Sequence, residues 1–338
     1  MAGSGKMRRR AGSISKTALG MAVAIAAGGL APAALAATPA CDRACLEGYV
    51  NKYLDAFVAR DAQRAPLSAQ AKYTENQAIV AIGQGRWKTA EAVGTYKIYV
   101  ADPQRSQVGF IGTLREAGLW SMIALRLRIV DQQITEAEAV IPGDTVRSGT
   151  FGDFDTAPGR ITTARAAFSQ PLAAVERRDR GTLIWAADLH YEGVQRGNGD
   201  IVPFSDECIK IENGVQLIRN PAYPFPAVSP TGRKLPNFAA MGCRDQFNTR
   251  IWETDTITDR RYPIVDLERG VVMAFNMYHQ YDKAPCARTV DYGLVCPPGD
   301  VKPYSLALVE AFKIRSGEIH EVEAVFTVFP DIRRRGAW

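Results

Sequence analysis

The spacing of apolar positions changes several times along the chain, and each change predicts an element. Leu46, Tyr49, Val50, Tyr53, Leu54 and Phe57 recur three or four apart, which predicts an amphipathic helix over residues 41–60, ended by Asp61. A strand follows at 73–76, then a Gly-rich turn at 83–85 and a helical piece at 89–96. Residues 107–141 alternate apolar and polar in three segments, the period of half-buried strands. The helical period returns over 171–196, and strands are predicted at 271–279 and in a hairpin over 305–329.

That last hairpin, SLALVEAFKIRSGEIHEVEAVFTVF, has a fainter copy at 121–141, SMIALRLRIVDQQITEAEAVI, and both end in E-x-E-A-V. A second alignment agrees: YLDAFVARDAQRAPLSAQAKYTEN from Tyr53 matches HYEGVQRGNGDIVPFSDECIKIEN from His190. Glu75-Asn76 meets Glu212-Asn213 with a shift of 137, which has grown to 185 where Glu136 meets Glu321, so the second copy carries 48 more residues. Residues 220–236 and 282–303 are the places for these insertions, which belong on loops of a shared scaffold. The expected organisation is a signal peptide (1–36), a first domain (40–142) that serves as scaffold, a linker (143–164) rich in turn residues, and a second, ligand-binding domain (165–330).

Composition then narrows the function classes. With 46% hydrophobic and 23% charged residues the chain is globular. Lys6, Arg8, Arg9, Arg10 and Lys16 precede an apolar run that stops at Ala34-Leu35-Ala36, the pattern of a secretory signal rather than of stable membrane insertion. These five are the only charged residues before Ala37, leaving 36 basic against 36 acidic and no basic face for a nucleic acid. Export to the periplasm or the extracellular space favours disulfides. Among the fifteen pairings six cysteines allow, proximity suggests Cys286 with Cys296 and Cys208 with Cys243, leaving Cys41 with Cys45. No C-x-x-C occurs and there are three histidines in all, so no metal site and no cofactor is expected.

One helix with a Tyr near its end, an Asp-containing turn, a strand ending in acidic and polar residues, then long antiparallel strands closing with I-x-E-x-E resembles the nuclear-transport-factor-2-like superfamily, which includes SnoaL-like cyclases and ketosteroid isomerases. The resemblance implies an α+β fold of two tandem cone-shaped domains, each a curved, mostly antiparallel sheet packed on N-terminal helices around an apolar pocket. It also implies places for chemistry, since the isomerases use a helix Tyr and a strand acid as hydrogen-bond donors and an Asp as base. In the first copy these positions fall on Tyr53, Leu125 and Asn76; in the second they fall on His190, Glu310 and Asn213.

A three-residue turn at Arg315-Ser316-Gly317 pairs Phe312 with His320 and puts Leu308, Glu310, Phe312, His320, Val322, Ala324 and Phe326 on one face. The expected catalytic residues are therefore Glu310 and His320 as acid and base, with His190 polarising the substrate; Thr135 stands where His320 would be in the first copy. Tyr53, Asn213, His279, Phe312 and Tyr278 are substrate-binding candidates, while Asp259, Arg260, Arg261 and Asp266 read as turn and surface ion-pair residues. The expected function is a cofactor-independent lyase or isomerase acting on an apolar, oxygenated small molecule. A non-catalytic small-molecule-binding protein and a module that forms homodimers through its outward sheet faces are the alternatives.

Overall fold

The computed structural model describes residues 41–143, 157–281, 286–296, 303–330 and 336–338. The expected signal segment and most of the expected linker lie outside these residues. Helix α1 (Arg43–Val58) begins where Asp42 accepts the Cys45 amide, and it buries Leu46, Val50, Tyr53, Leu54 and Phe57 on one stripe. The chain then forms β1 (Leu67–Glu75), β2 (Ala78–Ile79), β3 (Ala90–Asp102), β4 (Gln107–Glu116), β5 (Leu119–Val130) and β6 (Gln133–Val140). The sheet order is β2-β1-β6-β5-β4-β3, parallel only between β1 and β6.

Residues 89–96, expected to be helical, lie almost wholly in β3. The weak local period loses to pairing with β4, and the strand bulges between Val93 and Lys97, where a Cβ on Gly94 would lie 2.1 Å from Thr113 Oγ1.

The second half repeats the plan. After a turn of helix, α2 (Ala157–Arg160), comes α3 (Arg180–Arg196), which starts at Asp179, the acceptor for the Thr182 amide, and ends at left-handed Gly197. Residues 171–179, expected as part of this helix, precede it because Asp179 caps it. The strands are β7 (Phe204–Glu212), β8 (Val215–Gln216), β9 (Thr256–Asp266), β10 (Val271–Gln280), β13 (Tyr304–Arg315) and β14 (Glu318–Phe329), ordered β8-β7-β14-β13-β10-β9 with β7 and β14 parallel. The hairpin of β11 (Ala287–Thr289) and β12 (Gly293–Val295) lies in the second expected insertion, whereas the first reaches beyond residues 220–236 to take up the whole connection from β8 to β9 and carries helix α4 (Cys243–Asn248). Two six-stranded sheets of one order in one chain fit a tandem duplication.

Each sheet wraps its concave side around its own helix, making one core around Tyr53, Phe57 and Trp87 and another around Tyr191, Phe247 and Phe312. The convex sides meet in a third core that includes Ile98, Ile111 and Met122 from the first cone and Met273, Phe275 and Val309 from the second. The sheet faces expected to support a homodimer are thus buried against each other within one chain.

Ion pairs cross this contact reciprocally. Asp102, ending β3, takes two 2.7 Å bonds from Arg180 at the start of α3 and accepts the Val265 amide. Asp266, ending β9, takes bonds of 2.6 and 2.8 Å from Arg43 at the start of α1 and lies 3.4 Å from the Ala101 amide. Arg261 reaches across to the buried Glu138. Asp266 and Arg261, expected at the surface, therefore belong to the contact between the cones, because strand pairing turns their edge toward the other domain. The exchange of equivalent contacts is the pattern of a two-fold dimer made within a single chain.

Candidate functional site

Glu310 sits on β13 between two apolar, inward-facing neighbours, Leu308 and Phe312, and is fully buried in the second cone. Two other elements bring charge or imidazole to it. Helix α3 turns Leu183, Ala187, His190, Tyr191 and Val194 onto the sheet, and this places His190 Nε2 3.5 Å from Glu310 Oε1. Strand β7 alternates Cys208, Lys210 and Glu212 inward, and the Cys208–Cys243 disulfide ties this face to α4. The Lys210 ammonium lies 3.1 Å from Glu310 Oε1 and 2.9 Å from Glu212 Oε1. The result is a buried row, His190–Glu310–Lys210–Glu212.

The surroundings set the charge of each member. Burial pushes the Glu310 carboxyl up, but Lys210 and His190 outweigh it and bring it down to about 2. Burial holds the His190 imidazole below its ordinary range, which keeps it neutral near pH 7. Lys210 loses from burial but gains more from Glu212 and Glu310, so it stays protonated. The row thus sets the Lys210 ammonium between the carboxyl groups of Glu310 and Glu212. The 3.5 Å contact of His190 is an ion-pair distance without hydrogen-bond geometry, and neither ring nitrogen has a formed hydrogen bond among the described residues. The Tyr191 and Tyr278 hydroxyls and the Asn276 amide share that condition, while Glu310 Oε1 is met by the ion-pair contacts of Lys210 and His190. So dense a set of unpaired polar atoms inside an apolar cone is unusual for a core that is only structural.

Beside the row opens a cavity of about 160 Å³. Lys210 and Glu212 line it, with Tyr278, Tyr304, Leu308 and Phe326 as walls. Its roof comes from both insertions: Phe225 to Ala227 and Ile251 to Thr254 from one, Ala287, Val295 and Cys296 from the other. Val228 and Cys296 exchange backbone hydrogen bonds of 2.8 and 2.9 Å, and the Cys286–Cys296 disulfide clasps the second insertion.

The third disulfide joins Cys41 and Cys45, so all six cysteines are paired as the spacing suggested. Three disulfides without a free thiol suit an oxidising compartment. Among the described residues no helix is long and apolar enough to cross a membrane, and no group of three His, Cys, Asp or Glu could hold a metal ion.

Several candidate residues fall elsewhere. His320 is not beside Glu310. The hairpin turn has two residues, Ser316 and Gly317, both with positive φ, so Arg315 pairs with Glu318 and Ile314 with Ile319. The strand then bulges at His320, Phe312 pairs with Val322, and the imidazole sits at the hairpin end, 3.4 Å from Arg315. Val322, Ala324 and Phe326 do face inward as expected, because the bulge restores the register.

His279 points to the convex side, between Ser305 and Thr258 at 2.9 Å each. Its neighbours on that face, Met273, Phe275 and Met277, belong to the contact between the cones. Asn213 holds a left-handed turn with φ 43° and clamps both backbone groups of Phe326, so its amide is structural. Asn76 does the same for Ile141 in the first cone, with φ 50°. Tyr53 is buried against Phe57 and Trp87, Phe312 packs on His190 with ring centres 5.0 Å apart, and Tyr278 lines the cavity.

Lys210 and Glu212, which sequence reasoning missed, were signalled by the alternation C-x-K-x-E, which puts two charges on the face of a half-cystine.

A family model described as a domain of unknown function (DUF8021) matches residues 176–326, the second cone. A search of curated proteins returns no match. Among solved structures, the chain is similar to an NTF2-like protein of unknown function from Cytophaga hutchinsonii, at 10% identity over 30% of this chain and 93% of that one with a TM-score of 0.26. It is also similar to a protein with a ketosteroid isomerase-like fold from Catenulispora acidiphila, solved with trimethylamine, at 15% identity over 27% and 82% with a TM-score of 0.21. An LEH-like epoxide hydrolase of M. tuberculosis matches at 15% identity over 28% and 81%, with a TM-score of 0.20. Each of these spans about the length of one cone.

Proposed function

We propose that the second cone is a cofactor-independent acid–base catalyst, a lyase or isomerase, acting on a small, largely apolar molecule that carries a carbonyl oxygen. The supporting observation is the buried row of one ammonium and two carboxylates that opens on an apolar cavity through Lys210 and Glu212. Two carboxylates account for two of the three N–H donors of Lys210, which leaves one for a substrate oxygen as negative charge develops there. Glu212 takes the proton from the adjacent carbon. Glu310 and His190 act behind the cavity wall as positioning residues that hold Lys210 charged and in place. The first cone serves as scaffold, and the protein acts in the periplasm or outside the cell.

Proton exchange tests the reading directly. Cyclic and aryl ketones incubated with the protein in D2O should lose their α-proton NMR signals. Glu212→Gln should slow the loss by about 10²–10⁴-fold, and Lys210→Met should slow it too, while Tyr73→Phe in the first cone should leave it unchanged. Ketones that bind without exchange in the wild type would overturn catalysis and favour the second reading, a non-catalytic binding protein. That reading draws on the fixed charges of Lys210 and Glu310, which suit an anchor as well as a catalyst.

A further inference from the structure

A second cavity, of about 330 Å³, lies in the cleft between the cones, away from the row in the second cone. Its polar lining is Glu47 of α1, Lys97 and Tyr99 of β3, and Arg165, Ser169 and Arg269 from the second half of the chain. Three cations thus face one acid. The charges do not cancel in pairs. Arg165 is bound by Glu321 at 2.5 Å, but Glu47 is shared between Arg43 at 3.9 Å and Arg269 at 3.4 Å.

Lys97 is exposed and makes no ion pair among the described residues. The Arg269 Nε is buried and donates to nothing among the described residues, although a buried guanidinium N–H is costly to leave unpaired. Lys313 adds a further cation nearby, its Nζ 2.6 Å from the Arg269 carbonyl oxygen.

We propose that this cleft binds a small oxyanion, a phosphate or carboxylate group, with Arg269 and Lys97 as its ligands. Guanidinium presents a planar fork of donors suited to such groups, and Lys97 adds a point charge from β3. Because the lining comes from both cones, a bound oxyanion would bridge them and stabilise the folded chain by mass action.

The test uses inorganic phosphate, acetate and chloride at matched ionic strength, followed by calorimetric titration and by thermal unfolding of the disulfide-intact protein. Saturable binding is expected for phosphate, with Tm rising with its concentration, and none for chloride. A response to acetate as well would assign the site to carboxylates in general; a response to phosphate alone would assign it to phosphate groups. Lys97→Ala, at an exposed position, should weaken binding at least fivefold, and Arg269→Gln should remove it. Should Arg269→Gln fail to fold, Lys97→Glu replaces it, since reversing an exposed charge leaves the core intact and should abolish binding. Lys210→Met should leave phosphate binding unchanged, which separates this site from the second-cone cavity. Equal effects of phosphate and chloride, or undiminished affinity in the Lys97 variants, would overturn the proposal.

Discussion

The segment between the second and third strands of each sheet does opposite things in the two cones. In the first it is ten residues long and drives Trp87 into the cone, against Tyr53 and Phe57, while Arg86 above it pairs with Glu75 and Glu116. In the second it is the larger insertion, and it passes over the mouth as a roof, with Phe225 and Trp252 lining the cavity. The floors differ to match. Where the second cone has His190, Lys210 and Glu310, the first has Tyr53, Tyr73 and Leu125, and the Tyr73 hydroxyl simply donates to Glu75 at 3.0 Å. A scaffold of one topology can therefore be filled or hollow, depending on whether its second loop plugs the cone or roofs it.

The largest expected effect separates plug from roof. Trp87→Ala should cost about 3–5 kcal/mol in urea unfolding, as a large buried aromatic removed from a close-packed site. Trp252→Ala, on a cavity wall, should cost far less and change ligand affinity instead. Equal costs would break the distinction between a filled and a hollow cone.

A smaller effect concerns equivalent acids at the contact between the cones. Glu138 is paired with Arg126 and Arg261, whereas Glu323 is buried beside Tyr96 with no hydrogen bond to either oxygen among the described residues. Burial lifts the Glu323 carboxyl to about 8, with Tyr96 and Arg165 opposing it and Glu321 adding to it. An acid raised in the folded state gives its full contribution below its unfolded pKa and loses it as pH rises through the folded value. Stability should therefore fall by roughly 2 kcal/mol between pH 6 and pH 8 on account of this one group. Glu323→Gln should flatten that slope and Glu138→Gln should not; an unchanged slope in Glu323→Gln would sink the assignment.

The smallest effect tests what the cones share. Asn76→Ala and Asn213→Ala each remove a left-handed turn residue and two backbone hydrogen bonds, and each should cost about 1–2 kcal/mol. A marked inequality in their unfolding midpoints would mean that the two turns are not equivalent.

Much of this was open to reading in the chain itself. Two acidic hairpins and two Glu-Asn turns pointed to two domains of one plan, which the two sheets of one strand order fit, and local alternation gave Glu310 an inward face, since a strand's period of two does not depend on its partners. The pairing of cysteines followed from proximity along the chain. His320 was misplaced because the turn holds two residues rather than three and the compensating bulge falls on His320 itself, and bulges are set by how two strands fit, not by either strand alone. His279 was misread because the chain does not say which side of a sheet meets another sheet.

What sequence by itself determined is therefore the local period and the repetition of two domains, both of which are properties of neighbouring residues. Only the tertiary structure decided that Glu310 meets both Lys210, a hundred residues before it, and His190, twenty residues earlier still. It also decided that Trp87 fills one cone while the same loop opens the other. Charges and rings brought together by a curved sheet owe their proximity to its closure, and closure is a global property that no window of sequence contains.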